Sequence, residues 1–558
     1  MKPITKLLFV ALIPASLLLS CKKDLNVGNP NQPTVNDNVK DETGLIALTS
    51  GGVYLNGIGS GDLGWLGNSY ASLPFGYSEL LGDMLSAEAA NQIVNIINIP
   101  DAYTLVPGST QPVVNDAPMR TVLRTNNNRP ASSQGNNPFL YIWVSMYQLN
   151  NACNSVLGLV DKVSYTGDAA VKKNTIRAFC YFWKGWAYAN IGSQYYAGLI
   201  VDQPNTTNGN YKSYKDIIAE SNSNYMKCKE ILNGISAGNN SYSDVLGKLI
   251  PSFCQVGNGG VPSPEEWKRN LNTLMARNIL VNKLSPFVNN NPSATITGSS
   301  MENITPADWN QILTYANDGI KIGDKVFTGR SAEVNGFMSA NSGNIAAQAS
   351  GPSSPATFKI GERFIQHFKT GDKRFTNNFE SDPYGMVATL STRYAQVDGG
   401  NGTNGVYVYG NKNVGEYEVY LAGSYEENQL MLAEAKIRTN SVDAGLTHVD
   451  NVRNYMGAGI APVSGTGLNS TQALAELVRE RRVALVYRGV SYYDSRRWGW
   501  IYDISKGGGA YGQTVVEGTT VYNNATINYN FLDYWDVPAD EFDFNAPAAG
   551  SAAIKNPN

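Results

Sequence analysis

Apolar residues recur at three- and four-residue intervals over several long stretches of the chain. Over 138–160, Trp143, Met146, Leu149, Cys153 and Val156 fall on one side of a helix. Over 169–196, Ile176, Cys180, Trp183, Ala187 and Ile191 make one stripe, which Phe179, Trp186 and Tyr188 broaden. A helix apolar over so much of its circumference must be enclosed by neighbours, and the short polar turn between these two predicts an antiparallel pair. Further helices are predicted over 211–232 and over 264–283, the latter capped by Ser263 ahead of Pro264. The same spacing predicts 426–438, with Leu430, Ala433 and Ile437 on one face, and 442–455. It also predicts 471–488, with Leu474, Leu477, Val478 and Leu485 apolar and Ser470 as cap. Near the start, 43–54 and 78–95 read as shorter helices. The stretches 57–75 and 100–137 read as loops, 351–409 as loops with small strands, and 507–558 as mainly nonhelical. The fold class expected is mostly α.

The first residues follow a different logic. Lys2 and Lys6 precede a mostly apolar run over 7–19, after which the chain turns polar at once. That length suits a signal peptide and is short for a bilayer crossing. Leu18, Leu19 and Ser20 before Cys21 resemble a bacterial lipobox, in which a small residue fits the peptidase and the cysteine thiol carries lipid. The expected organisation is a signal peptide over 1–20, a lipidated tether over 21–42 and a single domain over 43–558 with an irregular region around 285–425. An uncleaved helix holding a buried cysteine, or cleavage without lipid, are the plainer alternatives. Cys153, Cys180, Cys228 and Cys254 lie in no metal-binding spacing, and Cys153 and Cys180 fall in apolar helical surroundings, so buried thiols are expected.

Charge and chemistry narrow the function. Lys and Arg number 43 against 46 Asp and Glu, a net charge of -3 without a basic block beyond the leader, which excludes nucleic acid as an expected partner. His367 and His448 are too few and too far apart for a histidine-rich metal centre, and no nucleophile elbow, zinc-protease motif or phosphate loop occurs. Adjacent carboxylates such as Glu426 with Glu427, or Asp540 with Glu541, diverge too far to flank a scissile bond. The chain is not expected to be an enzyme, and neither metal nor cofactor is expected.

Several segments carry recognisable wording. Arg177 to Phe182 with Gly192, the run Trp267 to Arg277, and Glu427 to Ala435 resemble three helices of the SusD/RagB family of nutrient-binding outer-membrane lipoproteins. Asn451, Val452 and Arg453 resemble a further element, and Glu480, Arg481, Arg482, Leu485, Gly489, Asp494, Arg496, Arg497 and Trp498 resemble the family's arginine-rich signature. Val537, Pro538, Glu541 and Asn545 resemble its terminal segment. The chain departs from the pattern at Ala484 and Arg488, where the family usually has Glu, and at Ser491 and Ser495.

The resemblance implies tetratricopeptide-like helical pairs with long irregular segments forming the ligand face. It implies an outer-membrane, outward-facing lipoprotein that acts as a binding lid on a TonB-dependent transporter of the SusC type. Oligosaccharides are the expected ligands, with peptides of the RagB kind, or a scaffold binding only protein, as alternatives. Sugar recognition stacks pyranose faces on aromatic rings, and the rings that no helical stripe explains are Trp65, Tyr70, Phe75, Tyr77, Tyr103, Trp309 and Tyr394. Arg481, Arg482, Arg496 and Arg497 are expected instead to buttress helix ends by pairing with carboxylates. The leader generates a direct prediction: mass spectrometry of the mature protein finds acyl chains on an N-terminal Cys21, and an unacylated or different N-terminus contradicts it.

Overall fold

A computed structural model describes residues 39–54, 73–87, 97, 99–106, 109–111, 118–127, 139–284, 301–330, 358–382, 390, 392–413 and 415–557. The periodic stretches fold as helices close to where their spacing puts them. These are α1 (Leu140–Leu159), α2 (Ala169–Gln194), α3 (Tyr214–Asn233), α4 (Asn240–Leu249), α5 (Pro264–Val281), α6 (Pro306–Asn317), α7 (Tyr425–Arg438), α8 (Val442–Tyr455), α9 (Ser470–Ala484) and α10 (Ser491–Arg497). Local chemistry sets their starts. Ser263 and Glu266 exchange bonds in a capping box ahead of Pro264, as expected. At α9 the cap is Asn469, paired with Gln472, and Ser470, expected in that role, is the first helical residue.

Helix α2 holds the centre. Ile176, Phe179, Cys180, Phe182, Trp183, Ala187, Tyr188 and Ile191 are all fully buried, so its stripe runs round the helix, and α1, α3, α4 and α5 all pack on it. Gly185 lets α3 come close: a Cβ there would sit 2.5 Å from the Tyr225 ring, while the Gly185 carbonyl accepts a 2.7 Å bond from Ser221 Oγ. Helices α7 and α8 form a second pair, with α9 packed on both. The architecture is mostly helical and built from pairs, as the resemblance implies. Cys153, Cys180, Cys228 and Cys254 are free and buried, as expected.

Elsewhere the structure departs from the sequence reading. The early helix covers Leu73–Leu81, and Leu85–Ala87 beyond it is a strand paired with Phe358–Ile360, because Asp83 takes a positive φ of 52° that ends the helix. The stretch expected as loop after Pro100 contains strands β1 (Ala102–Leu105) and β2 (Ser109–Gln111) and a helix over Met119–Asn127. With β3 (Ala510–Glu517) and β4 (Thr520–Asn528) the first two make a four-stranded antiparallel sheet in the order β3-β4-β1-β2. Helices α4 and α6 were not expected. Trp309 stands on α6, where Trp309, Ile312 and Ala316 form a second core with Ala276, Leu280, Met431, Leu432 and Ala435.

The arginine-rich signature is buried as a framework. Arg481 makes a two-bond pair with Asp494 at 2.9 and 3.0 Å; Asp494 also accepts from Arg497, and Arg497 grips Glu434 with two bonds of 2.7 Å. Glu434 further accepts from Arg438 at 3.2 Å. Arg482 and Arg496 correct the expectation of carboxylate partners. Arg482 donates to the carbonyls of Gly82 and Asp83 at 2.9 Å, and Arg496 to those of Ser193, Val281 and Asp533 at 2.7 to 2.8 Å. Loop turns and helix ends leave these oxygens without helical partners, and the forked guanidinium collects them. Arg488, at a position where the family usually has Glu, pairs with Glu426 and lies 3.7 Å from the centre of the Tyr420 ring.

Burial by itself would raise the Glu434 carboxyl, but Arg497 and Arg438 outweigh it and hold it at about 2. Folding therefore favours the carboxylate. The stabilisation is complete above the ordinary value near 4.5 and is lost as pH falls from there towards 2. Urea unfolding is expected to show that acid-side loss, and Arg497→Ala, which strips a partner from two buried carboxylates, is expected to cost about 3–5 kcal/mol at neutral pH. A cost below about 1 kcal/mol, the range of an exposed pair, contradicts the framework.

Candidate functional site

Helix α9 turns two faces to different tasks. Leu477, Glu480 and Arg481 face inward, whereas Thr471, Leu474, Ala475, Val478 and Arg479, at three- and four-residue steps, form one wall of an open cleft of about 470 Å³. The opposite wall is the β3–β4 hairpin, which contributes Tyr511, Gly512, Gln513, Thr514, Asn523 and Asn524. Register shifts between Ala510 and Gln513 and between Gln513 and Val515 interrupt the hairpin's ladder at this wall. Gln366, His367, Trp498, Trp500 and Arg438 complete the lining.

The framework described above sets the aromatic floor. Trp498 follows Arg497 directly, and Gly499, with φ of 83°, turns the chain so that the Trp498 and Trp500 rings lie 5.0 Å apart and tilted by 52°. The guanidinium of Arg482 lies 5.2 Å from the Trp500 ring centre. Trp498 is 4% exposed, Trp500 is half-buried and Tyr511 is 48% exposed, so the last two offer ring surface to a ligand. His367 lies parallel to Trp500 at 6.5 Å. Burial, reinforced by Arg482 and Arg479, pushes His367 well below its ordinary value, so it is neutral near pH 7. Gln366 donates to Gln513 at 2.9 Å and accepts from the Thr514 amide at 2.7 Å, which ties the hairpin to the floor. The cleft therefore offers ring faces, amide groups and guanidinium groups in one concave surface, the combination that reads hydroxyl-rich rings.

Two other cavities offer less. One beside Trp186, Asn190, Arg277 and Tyr493 holds only about 50 Å³, room for water-sized guests. Another, of about 240 Å³, is lined by Lys215, Glu302, Lys283 and Asp308, which already pair with each other. Burial raises the Glu79 carboxyl to about 7; it lines none of these three cavities and is held by Ser491 at 2.7 Å. No group of three or more His, Cys, Asp or Glu side chains that could hold a metal ion occurs among the described residues.

The rings singled out in the sequence do not gather here. Cys21, Trp65 and Tyr70 lie outside the described residues, and Phe75 falls within the helix Leu73–Leu81. Tyr77 is fully buried against Phe139, and Trp309 is 4% exposed beneath Arg438, so neither presents a free ring face; a packed helix claims each of them. Tyr103 is a half-buried strand residue bonded through its hydroxyl to Glu517. Tyr394 packs edge-on against Phe375 with Arg393 over its face. Sequence reasoning missed Trp500, Tyr511 and the amides of the hairpin. The available signal was the Trp-Gly-Trp run directly after the arginine signature.

Comparison with known proteins bears on what this architecture is. Residues 280–548 match the profile of the SusD family. A SusD superfamily protein of Bacteroides vulgatus aligns with 14% identity and a TM-score of 0.54, over 91% of this chain and 97% of that one. One from Bacteroides thetaiotaomicron aligns with 11% identity and a TM-score of 0.55, over 94% and 100% of the two chains. The chain is thus similar to the SusD family over residues 280–548 and shares the fold of these SusD superfamily structures. A further structure with this fold is a Bacteroides vulgatus protein named as a candidate sugar binder, with 16% identity, a TM-score of 0.56 and coverage of 92% and 100%. A search of curated proteins finds no match. The matched region supplies α6 to α10 and both strands of the hairpin, and with them every described lining residue of the cleft.

Proposed function

We propose that this protein is a cell-surface lipoprotein, without enzymatic activity, that captures oligosaccharides and passes them to a TonB-dependent outer-membrane transporter of the SusC type. The observation that carries the reading is the cleft of about 470 Å³, in which the half-buried Trp500 and the exposed Tyr511 stand beside Gln366, Gln513, Asn523 and Asn524. Rings of this kind stack on pyranose faces, and amides read the hydroxyls that stacking leaves at the edges. The SusD-like fold, with one structural relative named as a candidate sugar binder, supports the same reading.

The arrangement along the chain belongs to the proposal: a signal peptide over 1–20, a lipidated Cys21 with its tether to residue 42, and one ligand-binding body over 43–558 whose irregular region runs from about 285 to 425. Tethering to the membrane that holds the transporter raises the effective concentration of each for the other. Among the described residues, no helix is long and apolar enough to cross a membrane. Trp65 and Tyr70 stay in the proposal as additional stacking rings.

A screen of the lipid-free protein against defined glycans and short peptides tests the ligand class. Glycan binding is expected, and Trp500→Ala and Tyr511→Ala are each expected to cost about 1–3 kcal/mol of it, on the scale of aromatic hot spots. Trp65→Ala and Tyr70→Ala in the same series show whether the loop rings share the ligand. Binding confined to peptides, or hydrolysis of a bound glycan, overturns the proposal. Co-purification with a large barrel protein from solubilised outer membranes tests the partner.

A further inference from the structure

The charge lining the cleft is one-sided. Arg438 and Arg479 both line it, and among its described lining residues there is no carboxylate. Arg479 has no ion-pair partner among the described residues, and its Nε is buried without a hydrogen bond. The acids nearest to it in sequence are committed elsewhere. Glu476, one turn earlier on α9, accepts from Arg453 and Lys369 at 2.7 Å each, and Glu480 accepts from Arg374 and Arg453. Arg438 shares Glu434 with Arg497, so among the described residues of this network three guanidiniums, Arg438, Arg481 and Arg497, meet two carboxylates, Glu434 and Asp494. Arg438 lines the cleft as well, held by Glu434 and packed over the Trp309 ring. His367 adds no charge near neutral pH, but its Nε2 is buried without a hydrogen bond.

Reading the hydroxyls of a neutral sugar does not call for an unpaired cation. A guanidinium that faces a partly desolvated concave surface without a carboxylate partner, as Arg479 does, binds a planar or tetrahedral anion through charge-assisted bonds, and the adjacent rings stack the sugar that carries it. The contrast with the cavity beside Lys215 and Lys283 is direct, since there each cation has its carboxylate at hand. Resting on the glycan-binding reading, we infer that the cleft selects oligosaccharides bearing a carboxylate or sulfate group, with Arg479 as the specificity-determining contact and Arg438 beside it.

The test is titration calorimetry of the whole lipid-free protein with four probes of matched length: a neutral oligosaccharide, a uronate oligosaccharide, a sulfated oligosaccharide and an acidic peptide. At least one anionic glycan is expected to bind about tenfold or more tightly than the neutral one, as a charge-assisted bond provides. The advantage is expected to shrink as salt rises. Arg479→Gln is expected to remove the difference between anionic and neutral affinities, and Arg479→Lys to retain part of it. The two anionic arms separate carboxylate from sulfate recognition. Equal binding of neutral and anionic glycans, or an anionic preference untouched by Arg479→Gln in a protein with wild-type melting behaviour, overturns this inference and leaves the glycan reading standing. Binding of the acidic peptide alone overturns both.

Discussion

The structure depends on guanidinium groups that have been taken out of water together with their acceptors. Removing such charges from solvent is costly, and charge-assisted bonds to oxygens in good geometry offset the cost. Arg481, Arg497 and Arg438 meet it with Asp494 and Glu434, which fastens α7, α9 and α10 to one another. Arg496 meets it with three carbonyls drawn from residues 193, 281 and 533, and so holds the ends of α2 and α5 against the C-terminal segment. A framework of this kind tolerates little local movement, since loosening one partner strands the other in a dry interior.

The cleft inherits that rigidity. Its α9 wall carries Arg481 and Glu480 on its inner face, and its floor begins one residue after Arg497. Arg482 joins the floor to the turn at residues 82 and 83 and backs the Trp500 ring at the same time. The hairpin wall depends on a softer link, the paired amides of Gln366 and Gln513 with the Thr514 amide. A rigid floor with a more adaptable wall suits a binding protein, because ring positions are set in advance and only the amides need to adjust to the ligand.

Much of the helical frame was legible because its spacing is strong. The stripe of α2 could be read from the chain alone, whereas of the apolar positions of the last long helix Leu477 and Leu485 are buried and Leu474 and Val478 line the cleft; the carboxylate pairing expected of the arginine signature holds for Arg481 and Arg497. What escaped was nonlocal. Arg482 and Arg496 looked like partners for carboxylates, yet their acceptors are backbone oxygens from distant segments, which no residue type announces. Trp309 looked like a loop ring because α6 is short and its neighbours are polar, but Thr305, Pro306 and Asp308 cap a helix there and bury it. The cleft itself joins residues 366–367, 438, 471–479, 498–500 and 511–524, and periodicity within any one of these gives no hint of the others.

The central claim is that a ligand seats on the floor held by this framework. Hydrogen exchange of the lipid-free protein, with and without a bound oligosaccharide, reports on it most directly, because ligand contact slows exchange where it restrains the backbone. Slowed exchange is expected at residues 498–500 and 511–514 together. Unchanged exchange at both segments, with protection confined to other parts of the chain, would contradict it.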